Sequence, residues 1–590
     1  MKMKSIALIL CLCMILTALA GCGSASSAND TGPAVSVSSA QEPASAQESA
    51  SAAESASTQE SASVDAPASA QEPASAEEPA GEVEEEPEPE PVSYSYPLFD
   101  DTYGFEMFWR MRRNVLSDLA WWQSFESNLG VKVDWISPAD TAAAEQYNLL
   151  IASGDYPDLI FENSCSTTQG MCPYNGGYDK AIADEVYVDL TDYLEEYCPN
   201  YSQLLASDES LHRDLSTDDG KYYCFSMIYE KPYGVGFGVV VRDDYFADTG
   251  LKEIPTTTDD WMECLKIMKD NGVQYPMGVF NTGDLQGAPF AYAFGSTISS
   301  AYKVDRATNE LIYDGTSDET RAYLEFFSEA WDAGLISPDF FSLVGFDDPN
   351  NFNGVNAIFG ARDEKLEQVP VQYGFDITAC PVVTLPGESA PYLCDYSAMN
   401  GRVVVGSDIV VTTGCEDLER VLKVMDWFYS PEGYLACNYG WNQGESWDYN
   451  AAGEPELFDW INDTDPNTGN RYKDSYILDD GPFLCNASRE NPCYPDTVTK
   501  AKETWDNWDF DATKYITLPS VNLTAEESER VTSTKTDIDT YVTSSIANFM
   551  TGQTPLNDET WNNYVDTVNS MGIDDVTAAY ADAYERYLAR

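Results

Sequence analysis

A strand–helix–strand pattern between residues 129 and 161 constrains the fold of this chain more than any other feature. Leu129 to Ile136 alternate apolar and polar side chains as a strand does, and Ala142 to Ala152 have the apolar spacing of a helix. The short apolar run from Asp158 to Phe161 follows after a Ser-Gly break. Two strands joined through a helix form the crossover unit of a parallel sheet. The sequence therefore predicts an open α/β fold.

The N-terminus is typical of an export signal. Lys2 and Lys4 precede an apolar run from Ile6 to Ala20, which predicts a signal peptide over residues 1–21. The quartet Leu19-Ala20-Gly21-Cys22 resembles the bacterial lipoprotein box, which implies that Cys22 is lipidated and becomes the mature N-terminus. Several acyl chains would hold the protein at a membrane, since one chain alone binds marginally. An ordinary cleavage site with an incidental cysteine is the alternative.

Residues 22–92 lack the apolar side chains that a folded core needs. They consist mainly of Ser, Ala, Glu, Pro and Gln, and residues 41–82 repeat a six-residue unit of the type QEPASA. Without apolar area to offset the ordering entropy, such a segment stays unfolded. We therefore expect a disordered tether between the lipid anchor and a folded domain over residues 93–590.

Charge and cysteine content exclude several classes of partner. The chain has a formal net charge of −67, which argues against nucleic acid as a partner. His212 is the only histidine in the sequence, and no C-x-x-C pair occurs, so a zinc site is not expected. The nearby pairs Cys165/Cys172, Cys380/Cys394 and Cys485/Cys493 could bridge local loops, and buried reduced thiols are the alternative.

Several motifs in order along the folded part resemble one protein family. They are Gln146 to Ile160, the D-G-K-Y-Y turn from Asp219 to Tyr223, the P-T-T passage from Pro255 to Trp261, and the M-D-W-F-Y-S-P-E-G segment from Met425 to Gly433. Together they resemble the extracellular solute-binding proteins of family 1, the maltose-binding-like group. The best match is to the branch that serves oligosaccharide importers.

The resemblance implies a periplasmic-binding-protein-like fold of type II. Two α/β lobes would be joined by crossing hinge strands, with the ligand in the cleft between them. By position, lobe 1 takes about 93–228 and 395–435, and lobe 2 takes about 240–394 and 436–590. The glycines at 234, 236 and 238 lie at the first predicted crossing, where they would permit unusual backbone angles.

Aromatic residues make up 13% of the chain and favour a saccharide ligand. Sugars pack flat C–H faces on aromatic rings and need polar partners for their hydroxyls. Trp441 and Trp447 flank Glu445 in a loop where no helical or strand period would bury them. We therefore expect ligand contacts in this loop, although packing of the rings against the protein is the alternative.

Further candidate ligand residues follow predicted strand ends or lie near the hinge. Open α/β sheets bind ligands beyond the carboxyl ends of their strands, which favours the residues after Phe161. The resemblance implies a pocket loop after the first strand as well. These candidates are Trp109, Glu162, Asn163, Tyr174, Asn175, Glu230, Phe290 and Tyr292.

One loop has oxygen ligands at alternate positions, as calcium loops do. It contains Asp463, Asp465 and Asn467 but lacks the glycine and the terminal glutamate of a calcium-binding loop, and a plain turn explains it equally. The sequence therefore predicts no cofactor and leaves calcium open only at this loop.

These features together predict a binding protein at the outer face of the cell membrane, held there by its lipid anchor. It would capture an oligosaccharide by lobe closure and deliver it to the transmembrane permease subunits of an ABC importer. No catalytic motif for acyl or phosphoryl transfer occurs, so an enzyme is not expected. The alternatives are a secreted carbohydrate-active enzyme that uses a carboxylate pair in the cleft, and a surface carbohydrate adhesin without a transport role.

Overall fold

The computed structural model describes residues 90–111, 115–162, 174–279, 288–340, 352, 354–399, 401–466, 471–494 and 496–590. The predicted signal peptide, the predicted tether up to residue 89, Cys22, Asn163 and Asn467 lie outside these ranges. Within them, no helix has both the length and the apolar character that crossing a bilayer requires.

Sixteen strands occur in the described residues. In chain order they are β1 (Tyr103–Phe108), β2 (Val131–Ile136), β3 (Leu159–Phe161), β4 (Cys224–Tyr229), β5 (Phe237–Arg242), β6 (Met277–Gly278), β7 (Tyr302–Asp305), β8 (Leu311–Tyr313), β9 (Ile358–Arg362), β10 (Ile377–Ala379), β11 (Leu393–Cys394), β12 (Val403–Val411), β13 (Trp447–Tyr449), β14 (Pro455–Leu457), β15 (Leu484–Cys485) and β16 (Tyr515–Thr517).

Nineteen α-helices lie in the same ranges. They are α1 (Ala120–Leu129), α2 (Ala143–Ser153), α3 (Gly177–Ala183), α4 (Leu194–Tyr197), α5 (Pro199–Ala206), α6 (Glu209–Leu215), α7 (Asp243–Thr249), α8 (Thr258–Asp270), α9 (Ala288–Phe294), α10 (Asp318–Asp332), α11 (Asp363–Tyr373), α12 (Tyr396–Met399), α13 (Leu418–Trp427), α14 (Pro431–Asn438), α15 (Lys473–Tyr476), α16 (Asp496–Trp505), α17 (Ala525–Met550), α18 (Asp558–Met571) and α19 (Ile573–Ala589).

The first sheet contains six strands in the order β15-β4-β12-β3-β1-β2. Strand β1 pairs in parallel with both β2 and β3, while β12 runs antiparallel to β3 and β4. The predicted strand, helix and strand are present as β2, α2 and β3, and β1 lies between the two strands in the sheet. The parallel α/β unit expected from the sequence is therefore confirmed.

Lobe 1 consists of this sheet and the helices that pack on it. Its core holds the apolar face of α1, including Trp121, Trp122 and Phe125, together with the buried residues of β1 to β4 and of α13. Helix α1 ends at Gly130, which has a φ of 72°. Glycine adopts that left-handed conformation without a steric penalty, so the chain turns directly from α1 into β2.

Lobe 2 contains two four-stranded sheets, in the orders β10-β5-β9-β6 and β11-β16-β7-β8. The first of these sheets is covered by α8, α10, α17 and α18, whose apolar faces form the main core of this lobe. Helix α16 packs against the other face through Val498, Ala501 and Trp505. Each lobe therefore buries its own core.

The chain passes between the lobes in three segments. They run from β4 to β5, from β11 to β12 and from β15 to α16. This arrangement confirms the predicted α/β fold of two lobes joined by crossing segments. Strand β15 falls in the range expected for lobe 2, but it pairs in parallel with β4 in the first sheet.

Two hinge glycines differ from the sequence expectation. Gly234 has a positive φ of 84°, as expected, but Gly236 and Gly238 do not. A Cβ atom at Gly236 would lie 2.7 Å from the Tyr233 ring, and one at Gly238 would overlap the indole of Trp505. These two positions are therefore glycine because neighbouring rings pack directly on the backbone.

The nine cysteines in the described residues are free thiols, and seven of them are buried. Cys380 and Cys394 do not bridge, and neither do Cys485 and Cys493, so these two suggested disulfides are absent. Burial raises the pKa of the Cys485 thiol to about 11. Residues 165 and 172 lie outside the described ranges.

Candidate functional site

A cavity of 390 Å³ lies where two of the crossing segments meet lobe 2, and we call it the hinge pocket. The segment from β4 to β5 forms one side, and the end of β11 with helix α12 forms another. The lining residues are Tyr233, Gly234, Val235, Gly236, Phe237, Gly238, Val239, Tyr292, Thr297, Val382, Val383, Pro391, Leu393, Cys394, Asp395, Ser397, Ala398, Trp505 and Trp508.

Aromatic side chains from separate parts of the chain converge on the hinge pocket. Phe237 meets Tyr292 edge to face, with ring centroids 6.0 Å apart, and Trp508 packs on Phe510 at 4.4 Å. Trp505 is fully buried at the end of α16. The Nε1 atoms of Trp505 and Trp508 are buried without a hydrogen-bond partner among the described residues. An unsatisfied indole N–H is a donor that an oxygen atom could use.

Asp395 is the one charged residue among the lining residues of the hinge pocket. The hydroxyl of Tyr292 donates to its Oδ1 at 3.0 Å. Just outside the lining, Asp506 accepts a hydrogen bond from the Val235 N–H at 2.6 Å, and burial raises the pKa of this carboxyl. The pocket therefore combines rings with an acceptor, and none of its described lining residues is basic.

A second acidic site lies in lobe 1, at the end of β3. Glu162 is 4% exposed, and the hydroxyl of Tyr178 donates to its Oε2 at 2.7 Å. Burial and the nearby carboxylate of Asp408 raise the pKa of Glu162 to about 8, against hydrogen bonds from Tyr178 and Tyr187. Burial also raises the pKa of Asp408 to about 6. Glu162 is thus largely neutral at pH 7 and can donate a proton in a hydrogen bond.

Tyr178 and Asp408 also line a small cavity of 60 Å³ between lobe 1 and the second crossing segment. Tyr396 and Ser397 of α12 line it from the crossing segment. Ser397 is shared with the hinge pocket, so only the single turn of α12 separates the two cavities.

The structure separates the two candidates on helix α9. Tyr292 lines the hinge pocket, as the hinge position suggested. Phe290 is 3% exposed and stacks on Phe326 at 5.7 Å inside the core of lobe 2. Two positions along a helix differ by about 200° in direction, so both side chains could not face one cavity.

Trp109 lies at the end of β1, as predicted, but in the core of lobe 1. It is 6% exposed and packs on Phe161 at 4.1 Å and on Trp122 at 5.4 Å. Its ring also reaches a separate cavity of 290 Å³ that is lined by Arg110, Arg471, Asp474, Asp479 and Asp480 together with apolar residues. Its neighbours therefore include both core rings and charged groups.

Three further candidates are spread over the surface of lobe 1. Glu230 is exposed just after β4, and its N–H donates to the Cys485 carbonyl at 3.1 Å. Asn175 is exposed, and the half-buried Tyr174 donates to Asp184 at 2.6 Å. None of the three lines the hinge pocket.

The half-buried Trp441 and the buried Trp447 both pack against other parts of the protein, which is the alternative to ligand contact. Trp441 stacks on Trp427 at 5.2 Å, and its indole donates to the Trp121 carbonyl at 3.1 Å. Trp447 is 4% exposed in β13, and its indole donates to the Gly440 carbonyl at 3.0 Å. Glu445 is exposed and accepts from Asn442. The contact of Trp441 with Trp121 joins residues 320 positions apart, which no local period could reveal.

The calcium candidate is only partly described. The backbone carbonyl of Asp463 accepts a hydrogen bond from the Tyr472 N–H at 3.0 Å, nine positions later in the chain. Asp465 lies on the same loop, and Asn467 lies outside the described residues. Among the described residues, no group of three acidic, cysteine or histidine side chains is arranged to hold a metal ion.

Sequence reasoning missed Trp505, Trp508, Phe237 and Asp395. A usable signal was present, because the segment W-D-N-W places two tryptophans three residues apart among polar neighbours. Their position more than 260 residues after the hinge glycines gave no reason to connect them.

Comparison with known proteins gives a consistent family. A family of bacterial extracellular solute-binding proteins matches residues 114–434, more than half of the chain. The lipoprotein LipO of Bacillus subtilis is 26% identical over 333 residues, and the fructooligosaccharide ABC transporter substrate-binding protein FusA of Streptococcus pneumoniae is 24% identical over 342 residues. These alignments cover 52% and 54% of this chain but only 60% and 59% of those relatives.

The fold has solved counterparts. The crystal structure of the alginate-binding protein AlgQ2 without calcium ion matches with a TM-score of 0.63 and 17% identity, over 84% of this chain and 100% of that chain. At this identity the likeness concerns the fold, which is the type II periplasmic-binding-protein-like arrangement of two α/β lobes. With the family match and the shared fold in agreement, the chain belongs to the bacterial extracellular solute-binding proteins.

Proposed function

We propose that this protein is the membrane-anchored receptor of an ABC importer and that it captures an oligosaccharide in the hinge pocket. The observation that carries the proposal is the pocket itself, whose lining includes the rings of Trp505, Trp508, Tyr292 and Phe237 together with the carboxylate of Asp395. Aromatic faces pack on sugar rings, and the carboxylate of Asp395 can accept hydroxyl protons. FusA, named for fructooligosaccharides, supports this ligand class.

Capture works by population shift. A ligand that contacts both the crossing segments and lobe 2 stabilises the lobe arrangement in which it makes more contacts. We take this to be the closed arrangement, which the permease would then recognise. No covalent step is required. FusA and the matched structure are named as binding proteins, which favours a receptor over an enzyme.

Anchoring completes the proposed role. The Leu19-Ala20-Gly21-Cys22 quartet would place acyl chains on Cys22, and the relative LipO is named a lipoprotein. The segment up to residue 92 would then connect the anchor to the binding domain. Replacing Cys22 with Ser should move the protein from the membrane fraction to the medium, as followed by immunoblotting.

Calorimetry with kestose, a small fructooligosaccharide, tests the ligand class. We expect saturable binding by the full chain and roughly five- to tenfold weaker binding for Trp508→Ala, because one stacking ring contributes roughly 1–1.5 kcal/mol. Trp460→Ala is the matched control, since this half-buried tryptophan contacts Tyr472 and Tyr476 away from the hinge pocket. If both variants lose the same kestose affinity, the hinge pocket is not the ligand site.

Two further measurements separate the alternatives. Chromatography of kestose after prolonged incubation should show no shorter sugars, and their release would favour the carbohydrate-active enzyme. Cells that lack the gene should lose uptake of labelled kestose, and unchanged uptake would favour the surface adhesin. A screen in which only peptides or polyamines bind would contradict the carbohydrate assignment.

A further inference from the structure

The last helix of the chain is built into lobe 2. Val576 and Ala579 of α19 are buried in the main core of that lobe. Further along, Tyr584 and Tyr587 pack with Val304 and Ile516 of the sheet that contains β7 and β16. The direction and position of α19 are therefore fixed by lobe 2.

The final turn of α19 nevertheless binds lobe 1. The guanidinium of Arg586 donates through Nε to Asp218 Oδ2 at 2.5 Å. Arg590 donates to Asp218 Oδ1 through Nε at 3.0 Å and through Nη2 at 2.5 Å. Its Nη1 donates to the carbonyls of Arg213 at 3.0 Å and Ser216 at 2.8 Å. The Arg590 side chain is only 2% exposed, so these contacts are shielded from water.

Lobe 2 supplies a second acidic partner. Arg586 donates through Nη1 and Nη2 to Glu527 of α17 at 2.9 and 2.8 Å. Burial acts to raise the pKa of the Glu527 carboxyl, but the hydrogen bonds from Arg586 lower it overall. Arg586 therefore lies between a carboxylate of each lobe. We call Asp218, Glu527, Arg586, Tyr587 and Arg590 the C-terminal clamp.

Tyr587 connects the clamp to the second crossing segment. Its hydroxyl donates to Asp214 Oδ1 of lobe 1 at 2.7 Å and is hydrogen-bonded to the Tyr396 hydroxyl at 2.8 Å. Tyr396 begins α12, the single turn that also borders the hinge pocket. The clamp thus contacts lobe 1, lobe 2 and the crossing segment at one place.

The clamp and the hinge pocket contact different residues at α12. Asp395 and Ala398 line the hinge pocket, whereas Tyr396 faces the clamp and the small cavity of 60 Å³. When two bodies rotate about a hinge, the gap on one side narrows as the gap on the other side widens. With α12 taken as the pivot, closure over the hinge pocket would pull the final turn of α19 away from Asp218.

We propose that the C-terminal clamp holds the lobes in the arrangement seen here and sets the affinity for ligand from outside the binding pocket. The inference rests on the proposed function, because it takes the arrangement seen here as unclosed and closure over the hinge pocket as the state that ligand favours. A clamp that is intact only in the unclosed arrangement reduces the population of the closed one, and ligand affinity falls by the same factor. Loosening the clamp should then tighten binding without any new ligand contact.

The structure offers a matched set of variants. Asp218→Asn removes one charge from the clamp and keeps the side-chain size, whereas Arg590→Gln removes one charge and shortens the side chain. Arg321→Gln is the control, since Arg321 pairs with Asp558 at 2.6 Å and both residues lie in lobe 2. Thermal unfolding of each variant shows whether it is folded. A double variant of Asp218 and Arg590 should change affinity by less than the sum of the two single changes, because the two residues share one contact.

Lobe motion can be followed in the full chain without using its cysteines. Azide-bearing amino acids at Leu149 in lobe 1 and Val371 in lobe 2, which are 57% and 86% exposed, would carry the two dyes for single-molecule energy transfer. In the ligand-free state we expect Asp218→Asn and Arg590→Gln to populate a second distance that the wild type and Arg321→Gln barely show. Kestose affinity, measured by calorimetry, should rise roughly five- to tenfold in the clamp variants.

The two measurements distinguish a failure of the clamp proposal from a failure of the proposed function. Unchanged distance distributions in both clamp variants, or weaker kestose binding by folded clamp variants, would overturn the clamp. If no variant binds kestose or another oligosaccharide, the proposed function is at fault, and the ligand-free distance distribution still decides whether the clamp restrains the lobes.

Discussion

Glu162 shows how burial changes the chemistry of one carboxyl group. It is 4% exposed beneath Tyr178, and Asp408 lies near enough to raise its pKa further. The unfolded chain would have a pKa near 4.5 at this position, against about 8 in the folded protein. Between these values the folded state holds a proton that the unfolded state has lost, so stability falls as pH rises.

Replacing Glu162 with Gln should remove this pH dependence. We expect the free energy of unfolding of wild type, relative to Glu162→Gln, to fall by up to about 1.4 kcal/mol per pH unit between pH 4.5 and 8. Urea unfolding at pH 5.5, 6.5 and 7.5 measures it. Glu145→Gln on α2 is the control, because Glu145 is exposed. If the free energy of unfolding depends on pH in the same way for wild type and Glu162→Gln, the pKa of Glu162 is not raised in the folded state.

Gly238 is required by a close approach and not by its backbone angle. A Cβ atom there would overlap the indole of Trp505, which is fully buried. We expect Gly238→Ala to lower the free energy of unfolding by about 1–3 kcal/mol, the usual cost of overpacking, and to weaken kestose binding. Gly104→Ala is the control, since its Cβ would lie 3.9 Å from the nearest atom. Chemical denaturation that gives equal values for both variants would rule out the clash.

Among the elements, α17 has an N-terminus that serves two purposes. Thr524 accepts from the Glu527 N–H at 3.2 Å while the Glu527 side chain accepts from the Thr524 N–H at 2.8 Å, which is a complete capping box. Glu527 also binds Arg586 of the C-terminal clamp. The cap therefore positions a carboxylate that reaches the last helix.

Loss of this cap should destabilise the domain measurably. We expect Thr524→Ala to lower the free energy of unfolding by about 1 kcal/mol, because the Glu527 N–H loses its side-chain acceptor and the capping box is broken. Thr536→Ala in the middle of α17 should cost less, since Thr536 is exposed and bonds only the carbonyl one turn earlier. Urea unfolding of both variants gives the comparison, and an equal cost would mean that the cap contributes nothing.

At the scale of the whole molecule, charge acts against compactness. The chain has 99 Asp and Glu residues against 32 Lys and Arg residues, which gives a formal net charge of −67. Self-repulsion of this size destabilises a folded state, and salt screens it. Most ion pairs in the described residues are partly exposed, so screening costs them little.

Stability should therefore rise with ionic strength. We expect the midpoint of thermal unfolding to increase between 10 and 200 mM sodium chloride. The screening length falls from roughly 30 Å to about 8 Å over this range, so the repulsion between like charges weakens more than the attraction within surface ion pairs. Sucrose at equal osmolarity is the control for effects that do not depend on charge. A midpoint that falls with salt would mean that attractive pairs, including the C-terminal clamp, dominate.

Local patterns determined the parts of this protein that depend on neighbours in sequence. The alternation in β2, the spacing in α2 and the apolar run of β3 predicted a parallel α/β unit, because side-chain period follows directly from backbone geometry. The ordered motifs predicted the family, and the match over residues 114–434 confirms it. Of the candidate ligand residues, Tyr292 was placed at the hinge pocket from its position near the hinge.

Tertiary packing decided what no local pattern can encode. Trp447 is buried in β13 and Phe290 in the core of lobe 2, while Trp505 and Trp508 reach the hinge pocket from a distant segment. Whether a ring faces the core or a cavity depends on which helices and strands pack beside it, and such contacts can join residues far apart in sequence, as Trp441 and Trp121 are. The same reason explains why the pairing of β15 with β4 and the contact of Arg590 with Asp218 emerged only from the folded chain.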